Sequence, residues 1–278
     1  MKNIFLFVLF SIPFFNYSQS EKILDFKMAY SPKTSYHQVI EQSLGNELIY
    51  SGPEDLLKKL KENGVENPTI TANTTVAESV LKTGKLEKDG NFPVTIEFIK
   101  STSSDQKIII PNGTLIYGKA SSSSMPKLDS IVSKDLDETF KNSLLQTLQS
   151  TFSQLALPEK KMKIGESFSQ ESPLKIPVAT ITFDMLITTT YKLISIQNQI
   201  ANFDIFQDYA LKISDHNQEF KINASGDGKG KLDYNIPNHF ATQFNLDIEL
   251  NLGLKRDEFG LNAKSKSSFK QTVQINKN

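Results

Sequence analysis

The second half of the chain alternates apolar and polar residues over unusually long runs, and this pattern constrains the fold most strongly. From Phe240 to Leu254 every second residue is apolar except Thr242. Successive side chains of a β-strand point to opposite faces of a sheet, so a period of two predicts strands with one buried face. A similar alternation recurs in further segments, namely 181–193, 209–213, 220–236 and 259–275.

Turn residues separate these segments and predict how the strands pair. Asp215-His216-Asn217, Pro237-Asn238 and Arg256-Asp257 are of the types that reverse a chain readily. Consecutive strands joined by short turns pair in antiparallel fashion, so we expect a meander.

The buried face of this meander should contain a trough, because small residues flank a ridge of larger ones. Folding at the second turn places Gly228 near Leu246 or Ile248. Folding at the third turn places Leu250 near Ala263. Glycines at these positions would let long strands coil, so we expect the sheet to curve into a half-barrel.

A short helix is predicted in the first half of the chain. Ser51 and Glu54 have the spacing of a capping box, and Pro53 suits a first helical turn. Leucines follow at helical spacing, and Gly64 is typical of a residue that ends a helix.

A longer helix is predicted over residues 129–156. Apolar residues recur there at three- to five-residue steps, and Pro158 ends the pattern. We expect this helix to lie across the trough, with Phe140 and Leu144 on the side that faces it.

These segments together predict a mainly β fold of the α+β type. We expect a curved antiparallel sheet or half-barrel with one short and one long helix packed on it. Residues 21–278 should form a single β-rich domain. The candidate for a hinge is the stretch 119–127, where a run of serines precedes Pro126.

Residues 1–20 have the layout of a secretory signal peptide. Lys2 precedes an apolar block from Ile4 to Phe15, and small residues at Ser18 and Ser20 suit cleavage near either position. The apolar block is too short for a membrane-spanning helix, which needs roughly 20 residues. We therefore expect a secreted or periplasmic protein with no integral membrane span after cleavage.

Composition excludes several classes of function. The 31 basic and 31 acidic side chains balance, so no overall field attracts nucleic acid or anionic lipid. Arg256 is the single arginine, whereas bidentate recognition of phosphates and bases relies on that residue type. The absence of cysteine excludes disulfides, thiolate catalysis and cysteine-ligated metals. We expect no nucleic-acid partner.

No pattern in the chain carries catalytic chemistry. His37, His216 and His239 are scattered, without the spacing of a metal site. The glycine-rich stretch 225–231 lacks the spacing and the following hydroxyl of a phosphate-binding loop, and it lies within a predicted strand. We therefore expect a protein that is not an enzyme and that has no catalytic residues, no metal and no cofactor.

The segment 157–177 resembles a region of uncharacterised exported proteins of the Bacteroidota. Leu157-Pro158-Glu159-Lys160 leads to Ile164-Gly165-Glu166-Ser167-Phe168, and β-structure with a glycine-rich strand follows at 226–230. The resemblance covers mainly residues 157–278. It implies a periplasmic address and no site residues.

The leading hypothesis is a secreted or periplasmic, non-catalytic binding module. An apolar small molecule or lipid would lie between the curved sheet and the long helix, which acts as a lid. The candidate ligand-binding residues are Gly226, Gly228, Leu246, Ile248, Leu250, Ala263, Phe140 and Leu144. The alternative is a structural or interaction protein of the cell envelope that holds no ligand and binds another envelope protein. A third reading, an outer-membrane barrel, fits less well because a long helical pattern interrupts the strands.

Overall fold

The computed structural model describes residues 23–104, 110–154, 157–178, 181–212 and 221–277. The strands of the first half are β1 (Ile23–Phe26), β2 (Thr34–Ser51), β3 (Thr69–Thr83), β4 (Asn91–Ser103), β5 (Leu115–Ser121) and β6 (Ser124–Val132). The strands of the second half are β7 (Lys160–Lys163), β8 (Ser167–Val178), β9 (Ile181–Gln197), β10 (Ile200–Lys212), β11 (Lys221–Asn235), β12 (Phe240–Arg256) and β13 (Phe259–Lys277). The helices are α1 (Glu54–Glu62) and α2 (Glu138–Gln154).

One antiparallel sheet of eleven strands contains all the long strands. Its order is β6-β5-β4-β3-β2-β13-β12-β11-β10-β9-β8, so two consecutive meanders meet where β2 pairs with β13.

The predictions of a mainly β fold and of an antiparallel meander in the second half are confirmed. The turn predicted at 215–217 lies outside the described residues. The stretch 119–127, predicted as a hinge, forms the turn and flanks of the β5–β6 hairpin.

The sheet has one apolar face and one polar face. Tyr36, Leu81, Ile96 and Ile116 are successive cross-strand neighbours in β2 to β5, and Ile275 of β13 lies opposite Tyr36. Because directly opposed residues point to the same side of a sheet, these positions define one continuous face, which we call the inner face. The same registers place the even-numbered residues of β12 and the odd-numbered residues of β13 on the inner face.

Two hydrophobic clusters cover one end of the inner face. The first lies on β2 to β6 and includes buried Tyr36, Phe92 and Ile116. The second lies on β8 to β12 and includes buried Phe203 and Tyr234. Met28 packs against both clusters, so they are continuous.

A two-stranded sheet formed by β1 and β7 covers the second cluster; we call it the clasp. Its side chains Leu24, Phe26 and Met162 are almost fully buried. The Phe26 ring centroid lies 5.3 Å from that of Phe203 and 5.0 Å from that of Tyr234, which is the range of favourable tilted aromatic pairs. The clasp therefore seals the end of the inner face in the second meander.

Helix α2 covers the first cluster instead of the second. Leu144, Leu145, Leu148 and Phe152 pack against the cluster on β2 to β6, and the helix contacts β6. The expectation that this helix lies across the trough in β11 to β13 is therefore wrong. Its apolar side chains match a continuous apolar surface on β4 to β6, whereas the clasp already covers the corresponding end of the second meander.

The two helices also begin at residues other than those expected. Pro53 is the N-cap of α1 and no side chain caps it, because Ser51 is the last residue of β2 and lies opposite Gly260. The expected end at Gly64 is confirmed, since this residue has a φ of 78° and its N–H donates to Lys61 O.

The predicted 129–156 helix starts nine residues later than expected. Residues 129–132 belong to β6, where Ile131 lies opposite Ile116. Asp137 caps the true helix, because its Oδ1 accepts the Phe140 N–H at 2.8 Å. Ile131 fits the helical spacing of the apolar residues that follow it, but it packs against the first cluster as part of a strand. An apolar residue at this position is compatible with either structure.

Both edge strands of the sheet carry prolines. Pro126 lies in β6, and Pro173 and Pro177 lie in β8. Proline has no N–H to donate to a further strand, so it blunts an open edge. Each of these prolines removes one hydrogen-bond donor from an edge strand of the sheet.

Truncating the central aromatic ring of the clasp should destabilise the protein. We expect Phe26→Ala to lower the free energy of unfolding by about 3–5 kcal/mol, because it leaves a cavity between three aromatic neighbours. Urea unfolding followed by circular dichroism measures the change. The control is Ile23→Ala in the same strand, whose side chain is 59% exposed, with an expected change within about 0.5 kcal/mol. Equal effects of the two substitutions would contradict the assigned role of the clasp.

A buried tyrosine and a histidine attach the segment after the clasp to the β11–β12 turn. Tyr234 Oη donates to Lys27 O at 2.7 Å and lies 3.1 Å from His239 Nδ1. Ala29 N–H donates to His239 O at 3.0 Å. Burial, and secondly the charge of Lys27, lower the pKa of His239, while Asp25 acts in the opposite direction.

Stability should therefore depend on pH through His239. Its folded-state pKa lies below the unfolded value of 6.5, so the unfolded chain binds more protons in the interval between the two. We expect the free energy of unfolding to fall as the pH drops below about 6.5 and this contribution to level off below the folded-state pKa. The check is urea unfolding between pH 5 and pH 8. His239→Asn, which tolerates the positive φ of 50° at this position, should flatten the difference. An identical pH profile in the variant would contradict the assignment.

Candidate functional site

The long strands continue well beyond both hydrophobic clusters. We call the part near the β12–β13 turn at 257–258 the distal half of the sheet. It comprises 41–51 of β2, 69–78 of β3, 184–188 of β9, 207–212 of β10, 221–228 of β11, 248–256 of β12 and 259–268 of β13. All eight residues predicted as ligand-binding were expected to meet on or next to this part of the inner face.

The register places small residues on both sides of the β12 ridge. The cross-strand rows, read from β11 through β12 to β13, are Ala224–Leu252–Ala263, Gly226–Leu250–Ser265, Gly228–Ile248–Ser267 and Gly230–Leu246–Phe269. The predicted neighbourhood of Gly228 and Ile248 is confirmed. Six of the predicted residues, Gly226, Gly228, Leu246, Ile248, Leu250 and Ala263, thus share one patch of the inner face.

The predicted pairing of Leu250 with Ala263 is wrong by two residues. Ala263 lies opposite Leu252, because Arg256 pairs with Phe259 and only Asp257 and Glu258 form the turn. Asp257 has a φ of 51°, which a tight two-residue hairpin turn requires and which aspartate adopts more readily than most residues. The turn expected at Arg256-Asp257 is centred one residue earlier than the observed turn, and a displacement of one residue in the turn shifts every cross-strand partner by two residues.

The glycines on β11 are places where neighbouring side chains lie over the strand. A Cβ at Gly226 would collide with the Leu250 side chain and would lie 3.4 Å from Tyr209 Cβ. A Cβ at Gly228 would lie 3.1 Å from Gln207 Cβ. The trough is therefore lined by Leu250 on the β12 side and by Gln207 and Tyr209 on the β10 side, and all three approach the glycine strand closely.

The distal inner face is apolar, and neither hydrophobic cluster extends over it. Leu250, Leu252 and Ala263 are half-buried, and Leu44 on β2 is 38% exposed. None of these four residues belongs to either cluster. Ile248 packs at the margin of the second cluster and marks where the covered region ends.

Arg256, the last residue of β12 and opposite Phe259, is the only charged residue at the described distal positions of the inner face in β2 and β9 to β13. The other residues there are Gln42, Leu44, Asn46, Leu48, Tyr50, Met185, Ile187, Gln207, Tyr209, Ile222, Ala224, Gly226, Gly228, Ile248, Leu250, Leu252, Leu254, Phe259, Leu261, Ala263, Ser265 and Ser267. The opposite face of the same strands is charged and exposed; Lys266 Nζ, for example, pairs with Glu249 Oε1 at 2.7 Å. The outer face of the distal half therefore carries most of the charge, and the inner face is largely apolar up to Arg256 at its distal end.

Hydrogen-bonded polar side chains cross this apolar surface at its proximal margin. Tyr209 Oη donates to Gln207 Oε1 at 2.6 Å, and Gln207 Nε2 donates to Thr189 Oγ1 at 3.0 Å. Thr189 is buried, and Gln207 and Tyr209 are half-buried. Burial raises the pKa of Tyr209 to about 12, so its hydroxyl remains protonated at neutral pH. We call these three residues the polar row.

Two clefts lie mainly on the charged outer face. One of about 450 Å³ at the distal end includes Asn223, Gly253 and Asn262, and one of about 430 Å³ includes Phe206 and Lys229. Both are shallow, solvent-open depressions lined by lysines, acids and amides.

The remaining predicted site residues lie elsewhere. Phe140 and Leu144 are on α2, where Phe140 is 43% exposed and Leu144 packs against the first cluster.

Sequence reasoning missed Gln207 and Leu252. Gln207 could have been found, since it interrupts the alternation of Phe203, Ile205, Tyr209 and Leu211 with one polar residue.

The histidines are not brought together. His37 Nε2 lies 2.7 Å from Glu78 Oε1, His239 contacts Tyr234, and His216 lies outside the described residues. Across the ranges that the structure describes, no three side chains of histidine, aspartate or glutamate are placed to hold a metal ion. Neither helix in those ranges combines the length and the apolar character needed to cross a bilayer.

Comparison with known proteins identifies no family. No protein-family model matches the chain. No curated protein matches it either. A solved structure of a quintuple mutant of the porin of Rh. blastica aligns with 85% of this chain and all of its own, at 7% identity and a TM-score of 0.22, which is too low to support an argument.

Filling the glycine strand should disturb the trough. We expect Gly228→Leu to lower the free energy of unfolding by about 1–3 kcal/mol, because the new side chain must displace Gln207. The matched control is Gly45→Leu in β2, where a Cβ would meet nothing closer than Lys266 O at 4.0 Å. Urea midpoints measure both changes. A Gly228→Leu variant as stable as the Gly45→Leu variant would contradict the close packing described here.

Proposed function

We propose that this protein is an exported, non-catalytic binding module that holds an apolar ligand on the distal inner face. The observation that carries the proposal is the contrast between the two faces of the distal half. One face carries most of the charged residues, whereas the other is largely apolar up to Arg256 at its distal end, with Leu44, Leu250, Leu252 and Ala263 outside both hydrophobic clusters. Contiguous exposed apolar surface is costly in water, so such patches mark binding sites in soluble proteins.

The proposal includes a curved sheet. Small residues on β11 and β13 on either side of a leucine ridge, with glycines where neighbouring side chains lie over the strand, are the features that let long strands coil. Curvature toward the inner face would let several strands contact one ligand. Helix α2 is not part of this site, so the ligand would be held by the sheet without the helical lid expected from sequence.

The N-terminal pattern supports the proposed location. Residues 1–20 have the charge, apolar length and small residues of a secretory signal, and a mature protein beginning near residue 19 or 21 would start just before the clasp. Export would place the protein in the periplasm or outside the cell. An apolar small molecule or lipid is the proposed partner in either location.

Binding of an apolar probe tests the proposal. We expect the purified protein to bind N-phenylnaphthylamine with a rise in fluorescence, and native mass spectrometry of protein from its natural host to show a bound apolar molecule. Leu252→Asp should weaken probe binding at least tenfold, because the substitution removes an apolar contact worth about 1.5–3 kcal/mol and adds a charge.

The control is Ile164→Asp, which adds the same charge at a 52% exposed apolar residue in the β7–β8 turn. Circular dichroism checks that both variants are folded. Probe binding that is absent from the wild type, or that both variants weaken equally, would contradict the proposal. A protein that is empty and binds no probe but captures an envelope protein would instead support the interaction-protein reading.

A further inference from the structure

The polar row is unusual for its position. Thr189 and Gln207 are direct cross-strand partners, and Tyr209 follows Gln207 on the same face of β10. The row immediately toward the clusters contains Tyr191 and Ile205, and the next row in the distal direction after Tyr209 is apolar. Hydrogen-bonding side chains thus occupy one boundary of an apolar surface, between the sealed core and the uncovered strands.

The fold holds these side chains in place. Gln207 is hydrogen-bonded at both ends of its amide group, to Tyr209 and to Thr189. Its Cβ and Oε1 lie 3.1 and 3.2 Å from where a Cβ of residue 228 would be, so a larger residue at 228 would push Gln207 out of this conformation by a few tenths of an ångström. The Tyr209 Cβ would be in ordinary van der Waals contact, at 3.4 Å, with a Cβ at residue 226. Polar groups held in this way lose little conformational entropy when they bind a ligand.

We infer that the polar row binds the head group of a neutral amphiphile, whose acyl chain lies along Leu250 and Leu252 toward the distal end of β12. The inference rests on the proposed function and specifies the class of ligand. From Leu250 to Leu254 the strand extends about 13 Å, at about 3.3 Å per residue. This length accommodates a medium-length acyl chain.

The chemistry of the face selects a neutral head group. The described inner-face neighbours of the polar row on β9 to β12 include no lysine, arginine or histidine, and Arg256 lies six residues beyond Leu250 on β12, about 20 Å along the strand. A carboxylate or phosphate placed there would lose hydration without gaining an ionic partner, which is costly. A hydroxyl, ester or amide requires only hydrogen bonds, and Tyr209 and Gln207 provide them.

The same chemistry disfavours a plain hydrocarbon. A ligand that covers Tyr209 removes water from its hydroxyl oxygen, and a buried polar group left without a hydrogen-bond partner weakens binding. A head group that hydrogen-bonds to this oxygen offsets the cost. Sites built to pair with a polar group therefore reject analogues that lack it.

Displacement of N-phenylnaphthylamine by two lipids of equal chain length tests the inference. We expect monolauroylglycerol to bind wild-type protein at least tenfold more tightly than laurate at pH 8. Tyr209→Phe should weaken monolauroylglycerol five- to twentyfold while leaving the affinity for the naphthylamine probe unchanged. Tyr191→Phe is the matched control, because this ring is also on the inner face but stacks on Phe168 outside the polar row; it should change neither affinity.

The outcomes separate this inference from the proposed function. Wild-type protein that binds the probe but prefers laurate, or a Tyr209→Phe variant with unchanged monolauroylglycerol affinity, would overturn the neutral head-group assignment and leave the apolar site intact. Equal losses in Tyr209→Phe and Tyr191→Phe would also overturn it. Wild-type protein that binds neither the probe nor either lipid would overturn both proposals together.

Discussion

The pairing of β2 with β13 is the constraint on which the rest of the structure depends. It joins residues 34–51 to residues 260–277 over an uninterrupted register, and it converts two separate meanders into one sheet of eleven strands. Because opposed residues point to the same side, this single ladder also aligns the apolar faces of both meanders. The two hydrophobic clusters can then share Met28 and close as one layer. Such a long-range pairing repays its loop-closure entropy only when the whole ladder forms.

The buried core lies at one end of the long strands, and the proposed binding surface lies at the other. At the proximal end, α2 and the clasp cover the inner face, and the buried aromatic residues lie there. At the distal end the inner face is held by backbone pairing and by contacts between neighbouring strands. Regions with few buried contacts open locally at lower free energy than a core does, and binding surfaces are commonly drawn from such regions. An apolar surface that must remain accessible to a ligand cannot also be packed beneath a helix.

The glycines of β11 illustrate how one feature serves both sheet geometry and the site. Glycine weakens a strand because it adds backbone entropy and no side-chain packing. Here the lost packing is replaced by Leu250 from one side and by Gln207 and Tyr209 from the other. Their sequence pattern indicated a trough between strands, and the register confirmed the neighbours of Gly228. The hydrogen bonds among Tyr209, Gln207 and Thr189 could not be read from sequence, because they depend on which residues of β9 and β10 are opposed.

The sequence by itself determined the strand-rich character of the second half, the alternation of its faces and the partnership of consecutive strands. These are local properties, since a period of two and a turn residue act over a few positions. Tertiary structure decided the register of β13. The turn at Asp257 and Glu258 places Ala263 opposite Leu252, whereas Leu250 was the expected partner. Tertiary structure also decided that residues 129–132 form a strand, and that α2 covers the first meander instead of the trough. Those outcomes depend on which apolar surfaces remain uncovered once distant strands have paired, and a pattern within one segment carries no information about that competition.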